Sequence, residues 1–202
     1  MRGVPKVLAI TGRPGIGKST LLARIAAEAA GLGCKVGGVT TPEVRERGVR
    51  VGFKVRGLLT GGEAWLASTT PPSSAARAAR VGRYFVYGES AGLLVAEELT
   101  RAVQEADLIV IDEVGPMELL LKGFKEWVVR LLSEPAKPTA LTFHERLGER
   151  SPDLYSLISS KRVIRLTESN RSQYLAQARE LARWLLDEAE CAKGGQGANL
   201  RA

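Results

Sequence analysis

The chain has 202 residues and a formal net charge of +7, and 45% of its residues are hydrophobic. This length suits one α/β domain with a short excursion better than two separate cores. No apolar run approaches the roughly 20 residues that a membrane helix needs, so we expect no membrane partner. The single histidine and the widely spaced Cys34 and Cys191 argue against a structural zinc site.

The first predicted elements form one βαβ unit. The apolar run at residues 6–11 reads as a buried strand, a helix follows from Lys18 and ends near Gly31, and residues 35–41 read as a second strand. This order predicts a parallel sheet with a right-handed crossover. A cleaved signal peptide would remove this unit, so we expect a cytoplasmic protein. That setting disfavours a disulfide between Cys34 and Cys191, which could pair only if the fold brought them together.

An antiparallel excursion is predicted next, over about residues 44–88. Between Val44 and Thr60, apolar residues alternate with polar residues and glycines, which is typical of hairpin strands. Residues 68–83 are rich in Pro, Ser, Ala and Arg, and we expect a mobile surface segment there.

The remaining elements return to the α/β plan. Helical periodicity appears from about Ala91 to Ala106, from Phe124 to Leu131 and from Ser172 to Glu188, and strands are predicted at 107–112, 138–143 and 162–167. We therefore predict one domain over residues 1–190 and a disordered tail over 191–202. The scarcity of asparagine and glutamine fits a thermophilic source.

A glycine-rich loop between the first strand and helix carries the strongest motif. Residues 12–19, GRPGIGKS, fit G-x-x-x-x-G-K-[S/T] without a gap. Glycines let successive backbone N–H groups point inward and cradle phosphate, and the helix adds its positive N-terminus. Lys18 is expected to bridge the β- and γ-phosphates, and the Ser19 hydroxyl to ligate Mg²⁺. The predicted nucleotide-binding residues are Gly12, Arg13, Pro14, Gly15, Ile16, Gly17, Lys18, Ser19 and Thr20.

The strand LIVID supplies the expected complement to this loop. It ends in Asp112, whose carboxylate we expect to meet the metal, and Glu113 follows, where it can polarise a water in line with the γ-phosphate. We interpret these two residues and the loop as the machinery of NTP hydrolysis. The fold class that they predict is a P-loop NTPase with a mostly parallel, doubly wound sheet and an antiparallel hairpin extension.

Five further residues are candidates for a sensor or an arginine finger. Arg45 and Arg47 follow the second strand, and an added arginine near the γ-phosphate can stabilise transition-state charge. Arg45 is the candidate that we add to the predicted catalytic set. His144 follows the strand expected beside that of Asp112, where a γ-phosphate sensor can lie. Arg146 and Arg171 are the other candidates.

Other P-loop classes remain to be weighed. Residues 112–115 also spell D-x-x-G, the GTPase motif, but the sequence contains no N/T-K-x-D element to read guanine. A nucleoside or nucleotide kinase stays open, because Glu118 and residues 144–150 could supply an acceptor-binding acid and an arginine-bearing lid. A slow nucleotide-gated module that binds nucleic acid through scattered arginines is the third possibility.

Five segments together resemble the small nucleoside-triphosphatase family of thermophilic archaea and bacteria, called cancer-related nucleoside-triphosphatase in animals. They span most of the chain: TGRPGIGKST (11–20), GGVTTPEVRERGVRVGFKV (37–55), VGRY (81–84), LIVIDEVGPMEL (108–119) and ESNR (168–171). The resemblance implies Mg²⁺-dependent hydrolysis of ATP, GTP and other NTPs to NDP and phosphate, with loose base selectivity. It also implies a RecA-like sheet with helices on both sides and added antiparallel strands, and functional roles for the phosphate loop, Asp112 and Glu113. We expect a monomer or small homo-oligomer.

Overall fold

A computed structural model describes residues 4–71, 79–187, 189 and 191 of the chain. Within these residues the strands are β1 (Val7–Thr11), β2 (Val36–Thr40), β3 (Glu43–Glu46), β4 (Val49–Gly57), β5 (Glu63–Ser68), β6 (Arg80–Val81), β7 (Tyr84–Val86), β8 (Leu108–Val114), β9 (Thr139–Phe143) and β10 (Arg162–Arg165). The helices are α1 (Lys18–Gly31), α2 (Gly88–Glu105), α3 (Phe124–Ser133), α4 (Leu147–Arg150), α5 (Pro152–Ser159), α6 (Arg171–Ala176) and α7 (Ala178–Leu185), with a 3-10 turn at Glu118–Leu120.

One continuous sheet joins all these strands, in the order β10-β1-β9-β8-β2-β4-β5-β7-β6, with β3 paired to β4. The five strands from β10 to β2 are parallel to their neighbours. From β4 onward the pairing is antiparallel. The predicted α/β class, largely parallel with an antiparallel extension, is therefore confirmed.

Helices cover both faces of the parallel half. Alternate β1 side chains point to opposite faces, so that Leu8 and Ile10 join a core with α1 and α7, whereas Val7 and Ala9 join a core with α2, α3 and α5. Such double coverage explains why β1 and β8 are apolar at most positions. In the part of the chain that the structure describes, none of the helices is long and apolar enough to cross a bilayer.

The last predicted helix is interrupted. Instead of one helix over 172–188, α6 and α7 meet at Gln177, and Glu188 lies outside the described residues. No α6 side chain is fully buried, whereas α7 buries Ala178, Leu181 and two further residues. The break lets α7 direct its apolar face at the core that it shares with α1.

The expectation that a disulfide is disfavoured is wrong for this structure. Cys34, just after α1, and Cys191, beyond α7, are bonded to each other, with a Cα–Cα distance of 5.1 Å. The packing of α7 against α1 brings these positions together, which the sequence pattern alone does not indicate. The other predicted tail residues, 192–202, and residues 72–78 of the predicted mobile segment lie outside the described residues.

Candidate active site

The glycine-rich loop joins β1 to α1 at the carboxyl edge of the parallel strands. Gly12, Gly15 and Gly17 have φ values of +146°, +77° and +108°, which side-chain-bearing residues rarely adopt. A Cβ on Gly12 would also lie 2.6 Å from the carbonyl oxygen of Leu166. Because Gly17 occupies the N-cap of α1 and has no side chain to offer, the first N–H groups of the helix are available to an anion.

Lys18 lies inside this loop and is buried, with 8% of its surface exposed. Its Nζ donates a hydrogen bond to the carbonyl oxygen of Gly12 at 3.2 Å and lies 3.6 Å from Oε1 of Glu113. The motif lysine and the predicted catalytic carboxylate therefore face each other. Thr20, the last predicted nucleotide-binding residue, follows Ser19 in the first turn of α1 and is exposed.

Asp112 is the centre of a hydrogen-bonded cluster of hydroxyl groups. Its Oδ1 accepts hydrogen bonds from Ser19 Oγ at 3.0 Å and Thr142 Oγ1 at 2.6 Å, and its main-chain oxygen accepts one from Thr41 Oγ1 at 2.7 Å. Burial raises the pKa of Asp112, and the hydrogen bonds from Thr142 and Ser19 oppose that shift. Carboxylate and hydroxyl oxygens are the ligands that Mg²⁺ prefers, so this donor set fits the expected metal.

Glu113 holds a partly desolvated carboxylate. Its Oε1 is buried and accepts no hydrogen bond from the described residues. Burial raises the pKa of Glu113, while the nearby Lys18 and His144 lower it. A carboxylate with a raised pKa and a free lone pair can accept a hydrogen bond or a proton from a water molecule.

A third acid, Glu118, lies near Asp112 and Glu113. Glu118 starts the 3-10 turn that follows Gly115-Pro116, and its side chain is 7% exposed. Burial, together with the negative charges of Glu113 and Asp112, raises the pKa of Glu118 to about 8, although backbone N–H groups oppose the shift. With this pKa, the carboxyl group is mostly protonated at pH 7.

These groups open into a cavity of about 580 Å³. Its inner wall includes Lys18, Ser19, Asp112, Glu113 and His144. Its outer wall comes from the antiparallel extension and includes Arg50, Phe53, Val81 and Tyr84.

Sequence reasoning missed several residues of this site. Thr41 and Thr142 contact Asp112, and Arg50, Phe53 and Tyr84 line the cavity. A polar threonine within the fully buried strand β9 was a usable signal for Thr142. The residues from the extension carried no comparable signal.

Several predicted arginines do not line this cavity. Arg45 donates a hydrogen bond to Glu43 at 2.6 Å and another to the carbonyl oxygen of Gly48 at 2.9 Å, so its guanidinium is engaged within the hairpin. Arg47 is exposed in the turn, with φ +48°. Arg146 and Arg171 are also exposed and do not line this cavity. The main-chain N–H of Arg146 does contact the site, since it donates to Nδ1 of His144 at 3.2 Å.

A second cavity, of about 480 Å³, lies on the other flank of the loop. Gly12, Arg13 and Ile16 line one side of it, and residues 165–169 line the other. Asn170 fixes the latter segment, because its Oδ1 accepts the N–H of Thr167 at 2.8 Å and its Nδ2 donates to the carbonyl oxygen of Arg165 at 3.0 Å.

Comparisons with known proteins identify the family of the chain. The sequence model of the NTPase family matches residues 7–178. The nucleoside-triphosphatase THEP1 of Thermofilum pendens is 47% identical over 137 residues, which are 68% of this chain and 72% of the relative. THEP1 of Methanocaldococcus jannaschii is 38% identical over 156 residues, 76% of this chain and 88% of the relative.

Two solved structures share the fold. The crystal structure of THEP1 from the hyperthermophile Aquifex aeolicus aligns with a TM-score of 0.71 and 29% identity, covering 87% of this chain and 98% of that one. The solution structure of a human cancer-related nucleoside triphosphatase aligns with a TM-score of 0.68 and 30% identity, covering 89% and 98%. Both agree with the resemblance seen in the sequence. The chain belongs to the NTPase family that contains the THEP1 nucleoside-triphosphatases, and it is an enzyme of that class.

Proposed function

We propose that the chain hydrolyses several nucleoside triphosphates to the diphosphate and phosphate in a Mg²⁺-dependent reaction. The observation that carries this proposal is the convergence of two pairs of neighbouring residues from distant segments of the chain. Ser19 is hydrogen-bonded to Asp112 at 3.0 Å, and Lys18 lies 3.6 Å from Glu113. These are the donors, acceptors and charges that phosphoryl transfer to water requires.

Phosphate binding is assigned to the loop of residues 12–19. Its glycine-shaped backbone and the N-terminus of α1 offer N–H groups to the β-phosphate. Lys18 is assigned to stabilise the negative charge that develops between the β- and γ-phosphates. To reach these phosphates, its ammonium group gives up the hydrogen bond to the Gly12 carbonyl oxygen. Because Lys18 is buried, its charge acts at low dielectric and interacts strongly with the phosphates.

Mg²⁺ is assigned to the oxygens of Ser19 and Asp112. When bound, it would neutralise charge on the β- and γ-phosphate oxygens. Thr142 and Thr41 support this assignment, because their hydrogen bonds hold the Asp112 carboxylate and backbone in one orientation.

Glu113 is assigned to the attacking water. Its raised pKa brings it nearer to neutral pH, where general bases are most effective. His144 lines the same cavity and lowers the pKa of Glu113, so we assign it a positioning role. We assign no catalytic role to Arg45, whose guanidinium is engaged within the hairpin.

The second cavity supports loose base selectivity. With the triphosphate directed at Asp112, the nucleoside would lie on the opposite flank of the loop, between Arg13 and residues 165–169. Arg13, Thr167 and Glu168 are exposed there, so they can adapt to different bases. We therefore propose ATP, GTP, CTP and UTP as substrates.

The setting of the enzyme is also proposed. We propose that it acts in the cytoplasm, where its substrates are made, as a monomer or small homo-oligomer. Residues 1–190 are proposed to form one domain. A disulfide does not contradict this location for a relative of a hyperthermophile protein, because intracellular proteins of hyperthermophiles often contain disulfides.

The test is phosphate release from the four NTPs with Mg²⁺ and no acceptor. We expect Lys18→Ala and Glu113→Gln to lower the rate by about 10²–10⁴-fold and EDTA to abolish it. Lys122→Ala and Glu126→Gln are matched controls, because both residues are exposed and outside the two cavities. Wild-type protein that binds NTP but releases no phosphate would refute the proposal. A fully active Glu113→Gln variant would refute the role of Glu113.

A further inference from the structure

The outer wall of the 580 Å³ cavity is more than NTP hydrolysis requires. Hydrolysis needs only a water molecule beyond the γ-phosphate, and a water occupies roughly 30 Å³ in the liquid. The cavity instead continues past Glu113 to an apolar wall made by Phe53, Val81 and Tyr84, all half-buried residues of the antiparallel extension. The whole cavity, which also includes the phosphate end at Lys18 and Ser19, has a volume in the range of sites that hold small molecules, about 300–1,000 Å³.

The two rings of this wall form a platform flanked by guanidinium groups. Phe53 and Tyr84 pack edge to face, with ring centroids 5.4 Å apart. The guanidinium of Arg50 lies 5.5 Å from the Phe53 ring, and that of Arg83 lies 5.1 Å from the Tyr84 ring. Aromatic rings and arginine planes are the surfaces on which nucleobases stack.

Polar contacts hold the platform in place. Arg83 Nη2 donates hydrogen bonds to the Tyr84 hydroxyl at 3.0 Å and to the main-chain oxygen of Arg50 at 2.9 Å. Arg50, at the edge of the cavity, also pairs with Glu43 at 3.1 Å. A ligand that fits this wall therefore has a flat aromatic part, and hydroxyl or phosphate groups that can meet Arg50 and Glu43.

We propose that this wall binds a second substrate, a nucleoside or nucleoside monophosphate, which accepts the γ-phosphoryl group in place of water. The inference rests on the proposed function, because it uses the same phosphate loop and Glu113. In the transfer step, a hydroxyl oxygen of a nucleoside, or a phosphate oxygen of a nucleoside monophosphate, forms a bond to the γ-phosphorus while the bond from the γ-phosphorus to the β,γ-bridging oxygen breaks. When the acceptor is a hydroxyl group, its proton passes to Glu113; with either acceptor the nucleoside diphosphate of the donor leaves.

The position of Glu113 supports this step. Its carboxylate lines the same cavity as Tyr84 and Phe53, and it lies 3.6 Å from Lys18, at the phosphate loop. The group that would activate water thus borders the same cavity as the phosphate loop and the aromatic wall. Free phosphate then arises when water occupies the position of the acceptor hydroxyl.

The experiment follows the label from ATP carrying radioactive γ-phosphate. The protein is incubated with Mg²⁺ and each of eight acceptors: adenosine, guanosine, cytidine, uridine and their 5′-monophosphates. The measured quantity is the ratio of label in the acceptor to label in free phosphate. We expect at least one acceptor to be labelled, and Tyr84→Leu to lower the ratio by about tenfold or more, as loss of a stacking ring does.

Phe85→Leu is the matched control. Phe85 is the next residue of β7, it also carries a guanidinium over its ring, that of Arg80 at 4.6 Å, and it does not line the cavity. The ratio should be unchanged in this variant. If Tyr84→Leu fails to give a cooperative thermal transition, Phe53→Leu removes the other ring and takes its place.

The possible failures are distinguishable. Free phosphate from ATP with no label in any of the eight acceptors would overturn the inference and leave hydrolysis intact. If both Tyr84→Leu and Phe53→Leu label the acceptor at the wild-type ratio, the acceptor does not bind at this wall and the inference is overturned. Absence of both free phosphate and labelled acceptor would overturn the inference and the proposed function together.

Discussion

Replacing Glu118 by Gln should make the protein more stable at neutral pH, although it removes a buried acid. Burial raises the pKa of Glu118 from 4.5 to about 8. Below pH 4.5 the carboxyl group is neutral in both the folded and the unfolded chain. Between pH 4.5 and 8 only the unfolded chain loses the proton, so the free energy of unfolding falls as the pH rises.

The size of the effect follows from that shift. Each pH unit between the two pKa values costs about 1.4 kcal/mol, so the wild type should lose about 3 kcal/mol between pH 4.5 and pH 7 through Glu118 alone. Glutamine has a similar shape, stays neutral and carries no such cost. The stability advantage of Glu118→Gln should therefore be under about 1 kcal/mol at pH 5 and approach about 3 kcal/mol at pH 7.

Urea unfolding of the nucleotide-free protein at pH 5, 6, 7 and 8 measures this advantage. Asp112 and Glu113 also have raised pKa values, but they are present in both proteins and largely cancel in the difference. Glu126→Gln, at an exposed position of α3, is the control and should give a difference near zero throughout. A Glu118→Gln advantage that does not grow with pH would mean that Glu118 is already ionised in the folded protein, and the burial argument would fail.

Three further substitutions test other parts of the structure. Thr142→Val removes the hydroxyl that donates to Asp112 at 2.6 Å, and we expect phosphate release to fall by about 10- to 100-fold; an unchanged rate would mean that Asp112 needs no support. Cys191→Ser removes the bond to Cys34, which spans 157 residues, and should lower the free energy of unfolding by up to about 5 kcal/mol; urea curves that coincide with those of the oxidised wild type would contradict this. Gly12→Ala places a Cβ 2.6 Å from the carbonyl oxygen of Leu166. We expect it to lower the free energy of unfolding by at least about 2 kcal/mol and to weaken NTP binding. Unaltered affinity in a fluorescent-nucleotide titration would show that the loop tolerates the methyl group.

Strands β1, β8 and β9 of the parallel half could be predicted from sequence because they are buried on both faces. An apolar run bounded by glycine or a charged residue marks β1 and β8, whereas β9 begins after Pro138. The structure places each of the three strands within a residue or two of its predicted range. The juxtaposition of Ser19 and Asp112 also follows from topology, since parallel strands bring their carboxyl ends to one edge of the sheet. Local sequence patterns are sufficient to identify these strands, because each strand is followed by a loop or helix in the same α/β plan.

The antiparallel extension was less predictable, because the strand register decides which of its side chains face the cavity. Glu43 pairs opposite Phe53, but the register shifts between Val44 and Arg45, and beyond this irregularity Arg45 pairs opposite Arg50. A shift of one residue reverses which side chains face a cavity. For that reason alternation alone could identify the hairpin but could not show that Arg50, rather than Arg45, lines the site.

Contacts between distant segments were beyond sequence reasoning altogether. The hydrogen bond from Thr142 to Asp112 depends on β9 lying beside β8 in one register, and the Cys34–Cys191 bond depends on how α7 packs on α1. The buried state of Glu118 has the same origin, because neighbouring segments and not its own sequence remove it from water.

The Cys34–Cys191 bond makes a covalent ring of the chain between these two residues. The phosphate loop lies before the ring, and Asp112 lies within it. A protease that cuts one peptide bond inside the ring therefore cannot release a fragment, and the nicked protein keeps its full mass until a reductant is added. Even after a cut between Cys34 and Asp112, the two parts of the phosphate site belong to the same molecule.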